Sequence, residues 1–545
     1  MQDYQKHYQA WLTSNALSDA EKAELRAIAD DEKEIELRFT SGLSFGTAGL
    51  RGVMKTGRNA MNRHTVAHAT QGLANLILKE GRAEDGVAIA YDSRINSPLF
   101  AETSACVLAA NGIRVYLFDA LRPTPELSFA LRELGCVAGI NITASHNPKE
   151  YNGYKVYNDK GCQITDESAG AILAEIEKCD YFFKAERNPE LIKVLGDDIL
   201  DEFLEKIREF SLSDVARAYP PKVVYTPLHG TGNVPVRKLL EKMGVSDVTV
   251  VKEQELPDSE FTTCPYPNPE EKEALTLALE EAKKIGAELV LATDPDADRV
   301  GIAVPDKDGY RLLNGNETGV LMMEYMLSAK AKKGTLGKNP TIIKTIVTTD
   351  MAFGIAKAYG AGVTEVLTGF KYIGEALDKT ENYVMGLEES YGYLVGDHAR
   401  DKDAVSAVMT IVEMCAYYKS KGQGLVEALE NLYKTYGYYK TELASFQYPG
   451  KAGMATMSAV ISKIRNNPPT EILGNAVEFT DFSKGVDGLP KSDVLRFRND
   501  DIRLIVRPSG TEPKLKIYYQ VKGETGEKAD EKMKELVAFS KARLF

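Results

Sequence analysis

Three stretches of this chain repeat one pattern, and that pattern limits what the chain can fold into. They are RPTPELSFALRELGCVAGINIT (122–143), VVYTPLHGTGNVPVRKLLEKMGVSDVTVV (223–251) and TIVTTDMAFGIAKAYGAGVTEVL (345–367). Each holds a turn rich in Thr, Pro or Gly, a short helical stretch, a glycine and a strand-like apolar run. Gly135, Gly244 and Gly360 stand where a helix end takes a left-handed residue. We read three α/β units of one type. Between them strands and helices keep alternating: GVAIAYD (86–92), a helical stretch over 97–111, then IRVYLFD (113–119). Such alternation predicts mainly parallel strands.

The two ends differ. The first 37 or so residues predict two amphipathic helices, with Ser18 as N-cap and Glu21 as its capping-box partner at the start of the second. After about residue 450 come the strands DVLRFRN, IRLIVR and KLKIYYQV, with a turn PSGTEP before the third and a last helix from Glu524. Strands followed by a helix predict a separate α+β domain. The joints are expected near 210–220, 315–330 and 445–460.

At 545 residues the chain exceeds one core, and about 150 residues per domain gives three or four. A net charge of −12 argues against nucleic acid or a membrane surface as partner. Six scattered cysteines without a C-x-x-C pair read as reduced thiols of a cytoplasmic protein. The polar start lacks the apolar core of a signal peptide, and no apolar run is long enough to span a bilayer.

Four loops carry chemistry. In ATDPDADRVGIAV (292–304), Asp294, Asp296 and Asp298 alternate just after the strand-like AELVLA. On an extended loop three carboxylates converge on one hard cation, and Mg2+ fits, with a substrate phosphate completing its shell. An acidic turn is the plainer alternative. An EF-hand fails, because Arg299 stands where that loop needs glycine. Arg299 makes sense if it holds an anion beside the metal. In IRLIVRPSGTEPKLKIYY (502–519), Arg503 and Arg507 flank a strand end, and Ser509, Gly510 and Thr511 form a turn of N–H and hydroxyl donors. That is an anion nest with planar guanidinium forks, or else a hairpin with solvated arginines. In GLEESYGYLVGDHARDKDA (386–404), Glu388, Glu389 and Ser390 suit sugar hydroxyls, although paired glutamates alone also fit a solvated face. In SFGTAGLRGVM (44–54), small residues let Arg51 approach a phosphate, but alone this is a loop with an arginine.

Ser145, in ITASHNPKEYNGYK (142–155), stays open at this level. It is not in a G-x-S-x-G elbow, and a triad does not by default join neighbours such as Ser145 and His146. An N-cap is possible but does not explain so specific a string.

TASHNP, DPDADR, GLEESYG and RPSGTEP, in that order, resemble the four signature loops of the α-D-phosphohexomutase superfamily, over roughly residues 40–520. The resemblance implies four domains: 1–212 with the serine loop, 213–322 with the metal loop, 323–452 with the sugar loop and 453–545 with the phosphate loop. The first three are α/β with mixed sheets, and the last is an α+β domain of the TATA-binding-protein type. It further implies that Ser145 is a phosphoserine whose oxygen joins Asp294, Asp296 and Asp298 around one Mg2+. Lys155 matches a general acid/base, and His146 is expected to orient the serine loop. Glu388 and Ser390 match sugar contacts; Arg503, Arg507, Ser509, Gly510 and Thr511 match the phosphate loop.

Finer features resemble phosphoglucomutases: EES-Y-G followed by DHARDKD, and TGFKYIG (368–374), which brings Thr368, Gly369 and Lys371 to the substrate, with Lys402 reaching a phosphate. FGTAGLRG and DPDADR resemble the branch holding bacterial glucomutases and eukaryotic phosphopentomutases. The implied reaction interconverts α-D-glucose 1-phosphate and glucose 6-phosphate, activated by glucose 1,6-bisphosphate, in a cytoplasmic monomer or dimer. Alternatives are a phosphopentomutase, a dual phosphogluco/phosphomannomutase, a glucose-1,6-bisphosphate synthase and a non-catalytic sugar-phosphate sensor.

Overall fold

The computed structural model describes residues 2–46, 49–183, 185–448, 452–486, 488–509 and 514–544. The chain divides into two units: 1–313 with 377–379 and 391–420, and 314–376 with 380–390 and 421–545.

In the first unit, three helices rather than two open the chain: Asp3–Thr13, Asp19–Ala27 and Glu32–Phe39. Ser18 and Glu21 form the expected capping box. The extra break arises because Asp31 caps a new helix, its side chain accepting from the Glu34 N–H at 3.1 Å. Trp11, Tyr8, Leu25 and Phe39 form the helices' buried core.

The first α/β body centres on strand Val87–Tyr91, parallel to Val115–Phe118 on one side and Ala138–Ile142 on the other. All but the last residue of VAIAY is buried, as a central parallel strand with both faces covered requires. The outer strands Tyr151–Asn158 and Leu50–Val53 run antiparallel, so the sheet is mixed. The second body repeats this plan: Val223–Thr226 is parallel to Val248–Val250 and Leu289–Thr293, and Val300–Asp306 with Gly309–Leu313 adds an antiparallel edge.

In the second unit, Thr341–Thr345 is parallel to Gly362–Val366 and Tyr383–Glu388. Helix Gly315–Lys333 opens this unit, its start set by a capping box of Asn314 and Glu317. The tail is an antiparallel sheet in the order Tyr438–Gln447, Lys514–Gly523, Ile502–Pro508, Leu495–Arg498, Glu478–Asp481. Helices Gly453–Asn466 and Gly526–Arg543 supply Met457, Ile461, Met533 and Leu536 to its core. Among the described residues, no helix is long and apolar enough to cross a membrane.

Candidate active site

In the first unit, two loops at strand ends meet. Strand Ala138–Ile142 runs into Ser145, and strand Leu289–Thr293 runs into Asp294, Asp296 and Asp298. Ser145 holds a left-handed backbone, φ +51°, uncommon for a residue with a Cβ. Two devices hold it there. Its N–H donates to Thr143 Oγ1 at 2.8 Å. Arg94, 1% exposed, donates to the carbonyls of Ser145, Asn147 (2.5 Å), Pro148 (2.9 Å) and Tyr151 (3.1 Å). Asp92 balances that buried guanidinium, Nε to Oδ2 at 3.2 Å.

The Ser145 hydroxyl donates to Asp294 Oδ2 at 2.9 Å, and His146 Nδ1 stands 3.1 Å from Ser145 Oγ. With the single proton given to Asp294, His146 is the donor to Oγ, consistent with orienting rather than deprotonating the serine. Burial, with the charges of Arg299 and Arg51, holds His146 well below the ordinary histidine range, so the ring is neutral.

Asp294 Oδ1 accepts from the N–H groups of Asp298 (3.1 Å) and Arg299 (3.0 Å). Asp296 Oδ2 accepts from Lys155 Nζ at 2.8 Å and from Thr124 Oγ1 at 2.9 Å. Lys402 Nζ lies 3.1 Å from Asp298 and 3.0 Å from Asp401. Asp401 also accepts from the Tyr157 hydroxyl at 2.9 Å. Each of the three metal-loop aspartates can offer one oxygen such that all lie within 4.8 Å of one another. Oδ1 of Asp296 and Oδ1 of Asp298 are buried without a hydrogen-bond partner among the described residues. Buried acceptors left unpaired beside one another fit a hard divalent cation. Burial and the neighbouring negative charges push Asp294 well above the ordinary carboxylate range, whereas at Asp296 burial, the largest single influence, is outweighed by Lys155, Asp294 and Lys402 together, which hold it far below. Arg299 reaches Glu270 at 2.9 Å and Asp298 at 3.8 Å, and Arg51 is exposed on strand Leu50–Val53. The structure thus brings together Ser145, His146, Lys155, Arg299, Lys402 and the three aspartates. Lys402, expected at a phosphate, is anchored on the metal loop.

The second unit carries a separate set. Glu388 ends its strand, 5% exposed, and accepts from Ser390 Oγ at 3.0 Å. Glu389 accepts from Thr345 and Thr348 hydroxyls, both at 3.2 Å. Gly369 has φ +121°, a value that favours glycine, and Lys371 follows in helix Phe370–Leu377 with its ammonium 4.8 Å over the Tyr372 ring. The Thr368 hydroxyl is buried without a partner among the described residues. Arg507 and Ser509, half-buried, stand where strand Ile502–Pro508 ends; Gly510 and Thr511 lie outside the described residues. Arg503 is a correction. It is 2% exposed and donates to Asp350, to the Thr348 carbonyl and to Gln520 Oε1 at 3.1 Å, so its fork braces the 348–350 turn and is not held out to a phosphate. A strand places alternate side chains on opposite faces, but two arginines four apart share one, so spacing could not separate Arg503 from Arg507.

Sequence reasoning missed Arg94, Thr124, Asn141 and Asp401. Asn141 Nδ2 donates to Thr124 Oγ1 at 2.7 Å, which leaves the Thr124 proton for Asp296. The Thr124 N–H also donates to the Asp296 carbonyl, at 2.9 Å. A signal for Thr124 was present in the RPTP turn of the first repeat, and one for Arg94 in DSR after a buried strand.

Family models agree with this geometry. Phosphoglucomutase/phosphomannomutase alpha/beta/alpha domain I matches residues 42–182, domain II 201–309, domain III 314–436 and the C-terminal domain 453–537. The chain is 36% identical to a phosphoglucomutase of Staphylococcus aureus over 521 residues, 90% of this chain and 92% of the relative. It is 35% identical to the phosphoglucomutase of Staphylococcus haemolyticus over 505 residues, 89% and 91% of the two. A solved phosphoglucomutase/phosphomannomutase family protein of Burkholderia thailandensis shares the fold at TM-score 0.70, 19% identity, covering 92% of this chain and 98% of that one. The open form of parafusin, a phosphoglucomutase of Paramecium, does so at TM-score 0.72, 20% identity, covering 92% and 95%. With four domain models matched in order along a chain that places a serine against three aspartates, this protein belongs to the phosphoglucomutase/phosphomannomutase family.

Proposed function

We propose that the chain interconverts α-D-glucose 1-phosphate and glucose 6-phosphate, with Ser145 as phosphoryl carrier and glucose 1,6-bisphosphate as intermediate and activator. The observation that supports this best is Ser145 Oγ 2.9 Å from Asp294, beside two buried carboxylate oxygens without hydrogen-bond partners. A hydrolytic serine would donate to its base, whereas Ser145 donates to Asp294, in a carboxylate cluster that suits a cation, and takes a hydrogen bond from His146. Phosphoserine at 145 gives its phosphoryl group to the free hydroxyl of the sugar phosphate: the Ser145 O–P bond breaks, a sugar O–P bond forms, and the hydroxyl proton passes to the departing Ser145 oxygen. The bisphosphate then returns its other phosphoryl group to Ser145, so atoms balance over the cycle.

Asp294, Asp296 and Asp298, with an oxygen on Ser145, would hold Mg2+, which when bound offsets negative charge on the phosphoryl group. Lys155 is placed to hold or move the hydroxyl proton at Nζ, and Arg299 and Arg51 to attract the phosphate. Glu388 and Ser390 suit sugar hydroxyls; Thr368, Gly369, Lys371, Arg507 and Ser509 suit the sugar and its non-reacting phosphate. The substrate is a small sugar phosphate, and six free cysteines suit the reducing cytoplasm.

The test is a coupled assay with glucose 1-phosphate, mannose 1-phosphate and ribose 1-phosphate, each with and without glucose 1,6-bisphosphate. The hexose glucose 1-phosphate should turn over fastest, and only with bisphosphate or pre-phosphorylated enzyme. Faster turnover of ribose 1-phosphate would assign a pentomutase instead, and tight binding without turnover a sensor. Ser145→Ala should abolish turnover while keeping sugar-phosphate binding; persisting activity removes Ser145 from the mechanism.

A further inference from the structure

A recess of about 870 Å³ lies where the opening helices meet the first α/β body, lined by residues from 7 to 182 that include none of the groups assigned above to catalysis. Its size falls in the range of small-molecule sites. One end is cationic. Arg58 Nη1 lies 2.6 Å from His7 Nδ1, a nitrogen that also lies 3.2 Å from the Phe39 carbonyl. Arg58 Nε is buried with no hydrogen-bond partner among the described residues. Among the described residues no carboxylate comes within 4.0 Å of this guanidinium, although Arg38 and Arg63 close by pair with Glu24, Glu34 and Glu21. Glu177 and Asp180 also line the recess, but exposed to solvent.

The guanidinium is held in place. Its carbon sits 5.3 Å over the Tyr181 ring, whose stacking partner is His68 at 4.0 Å. A fixed arginine with a buried N–H left over, and no carboxylate paired with it, recognises an anion. Leu43, Phe45, Leu50, Leu173 and Ile176 give the recess an apolar wall, beside the polar Ser41, Ser44, Thr65 and His68.

We propose that this recess binds a small organic anion, with a phosphate or carboxylate head on Arg58 and an apolar body along Leu43, Phe45 and Leu173. The site is separate from the mutase reading, and its test requires no turnover. Trp11, the single tryptophan of the chain, lines the recess and reports occupancy by its fluorescence.

The full-length protein is titrated with hexyl phosphate and with hexanoate, against inorganic phosphate and hexanol as head-only and body-only controls. A saturable change with at least one of the two amphiphiles is expected, about tenfold tighter than with either control. It should weaken about tenfold in Arg58→Gln and persist in part in Arg58→Lys. Leu173→Glu, which sets a carboxylate in the recess and leaves Arg58 in place, should also abolish binding; it serves if Arg58→Gln melts below the working temperature. No saturable change, equal affinity in these variants, or displacement of the probe by glucose 1-phosphate overturns the proposal.

Discussion

Asp296 depends on a residue far away in sequence. One of its oxygens takes the Thr124 and Lys155 protons, and the other stays unpaired for a cation. Because Asn141 already donates to Thr124, the threonine hydroxyl has one role left. Partners behind metal ligands typically govern affinity by ten- to a hundredfold. Thr124→Val should therefore weaken Mg2+ binding about tenfold or more by calorimetry, and Thr124→Ser should restore it; unchanged affinity in the valine variant would refute the relay. Glu126, two residues on, behaves differently. It is fully buried, and neither oxygen has a hydrogen-bond partner among the described residues. Burial, only partly offset by Arg122 at 3.9 Å, pushes its carboxyl from 4.5 up to about 8. Between those values the folded chain keeps a proton that the unfolded chain loses, so stability falls as pH rises, by at most about 1.4 kcal/mol per pH unit, and levels off above about 8. Glu126→Gln removes that slope. Its melting temperature should gain on the wild type more at pH 8 than at pH 5, and a constant difference would show that Glu126 is ionised in the fold. Neither residue drew notice in the sequence. Thr124 matters through a contact 172 positions away, which its RPTP turn marks without naming the partner, and Glu126 through burial, which no local pattern encodes.

At the scale of elements much was legible, because the signals are local. Ser18 and Glu21 stand three apart, so their capping box is written in the sequence and appears in the fold. The third opening helix was not legible, because Asp31 lies in a run of acids where any of several side chains could cap. The repeat glycines hold φ +66°, +79° and +65° at 135, 244 and 360, the left-handed C-cap that the repeats predict. Space differs among them. A Cβ on Gly135 or Gly360 meets nothing within 4 Å, whereas one on Gly244 meets the Arg217 side chain at 3.1 Å. Gly135→Ala and Gly360→Ala should each cost about 1–2 kcal/mol from backbone conformation alone. Gly244→Ala should cost at least as much, since Arg217 must also shift. Denaturant melts of the three variants check the order, and a neutral Gly135→Ala would contradict the cap. Arg503 shows the limit of local reading. Residue type and strand-end position suited a phosphate, but a buried acid, Asp350, lies opposite it in the fold.

On the scale of the whole molecule, chemistry that the sequence scatters over hundreds of residues is gathered separately within each unit. The first unit holds Ser145, Lys155, Asp294, Asp296, Asp298 and Lys402; the second holds Glu388, Ser390, Arg507 and Ser509. Order along the chain suggested four loops but could not say which acids lie against which bases. A cation binding the three aspartates should consequently act unevenly. It would tie strand Leu289–Thr293 and the 294–298 loop to the 143–149 loop, all within one unit, since Ser145 already bonds to Asp294. Binding to the folded state alone adds about 2.7 kcal/mol of stability at a hundredfold excess over Kd. Local opening near the bound ion should slow by a matching factor, while segments with no link to it keep their own opening equilibria. Hydrogen exchange read by mass spectrometry, with Mg2+ and then with EDTA, should therefore show protection over 143–149 and 289–300 that the chelator removes. The antiparallel sheet within 438–523 should exchange equally in both. Protection spread evenly over the chain, or absent from 289–300, would mean that the aspartates do not hold the ion.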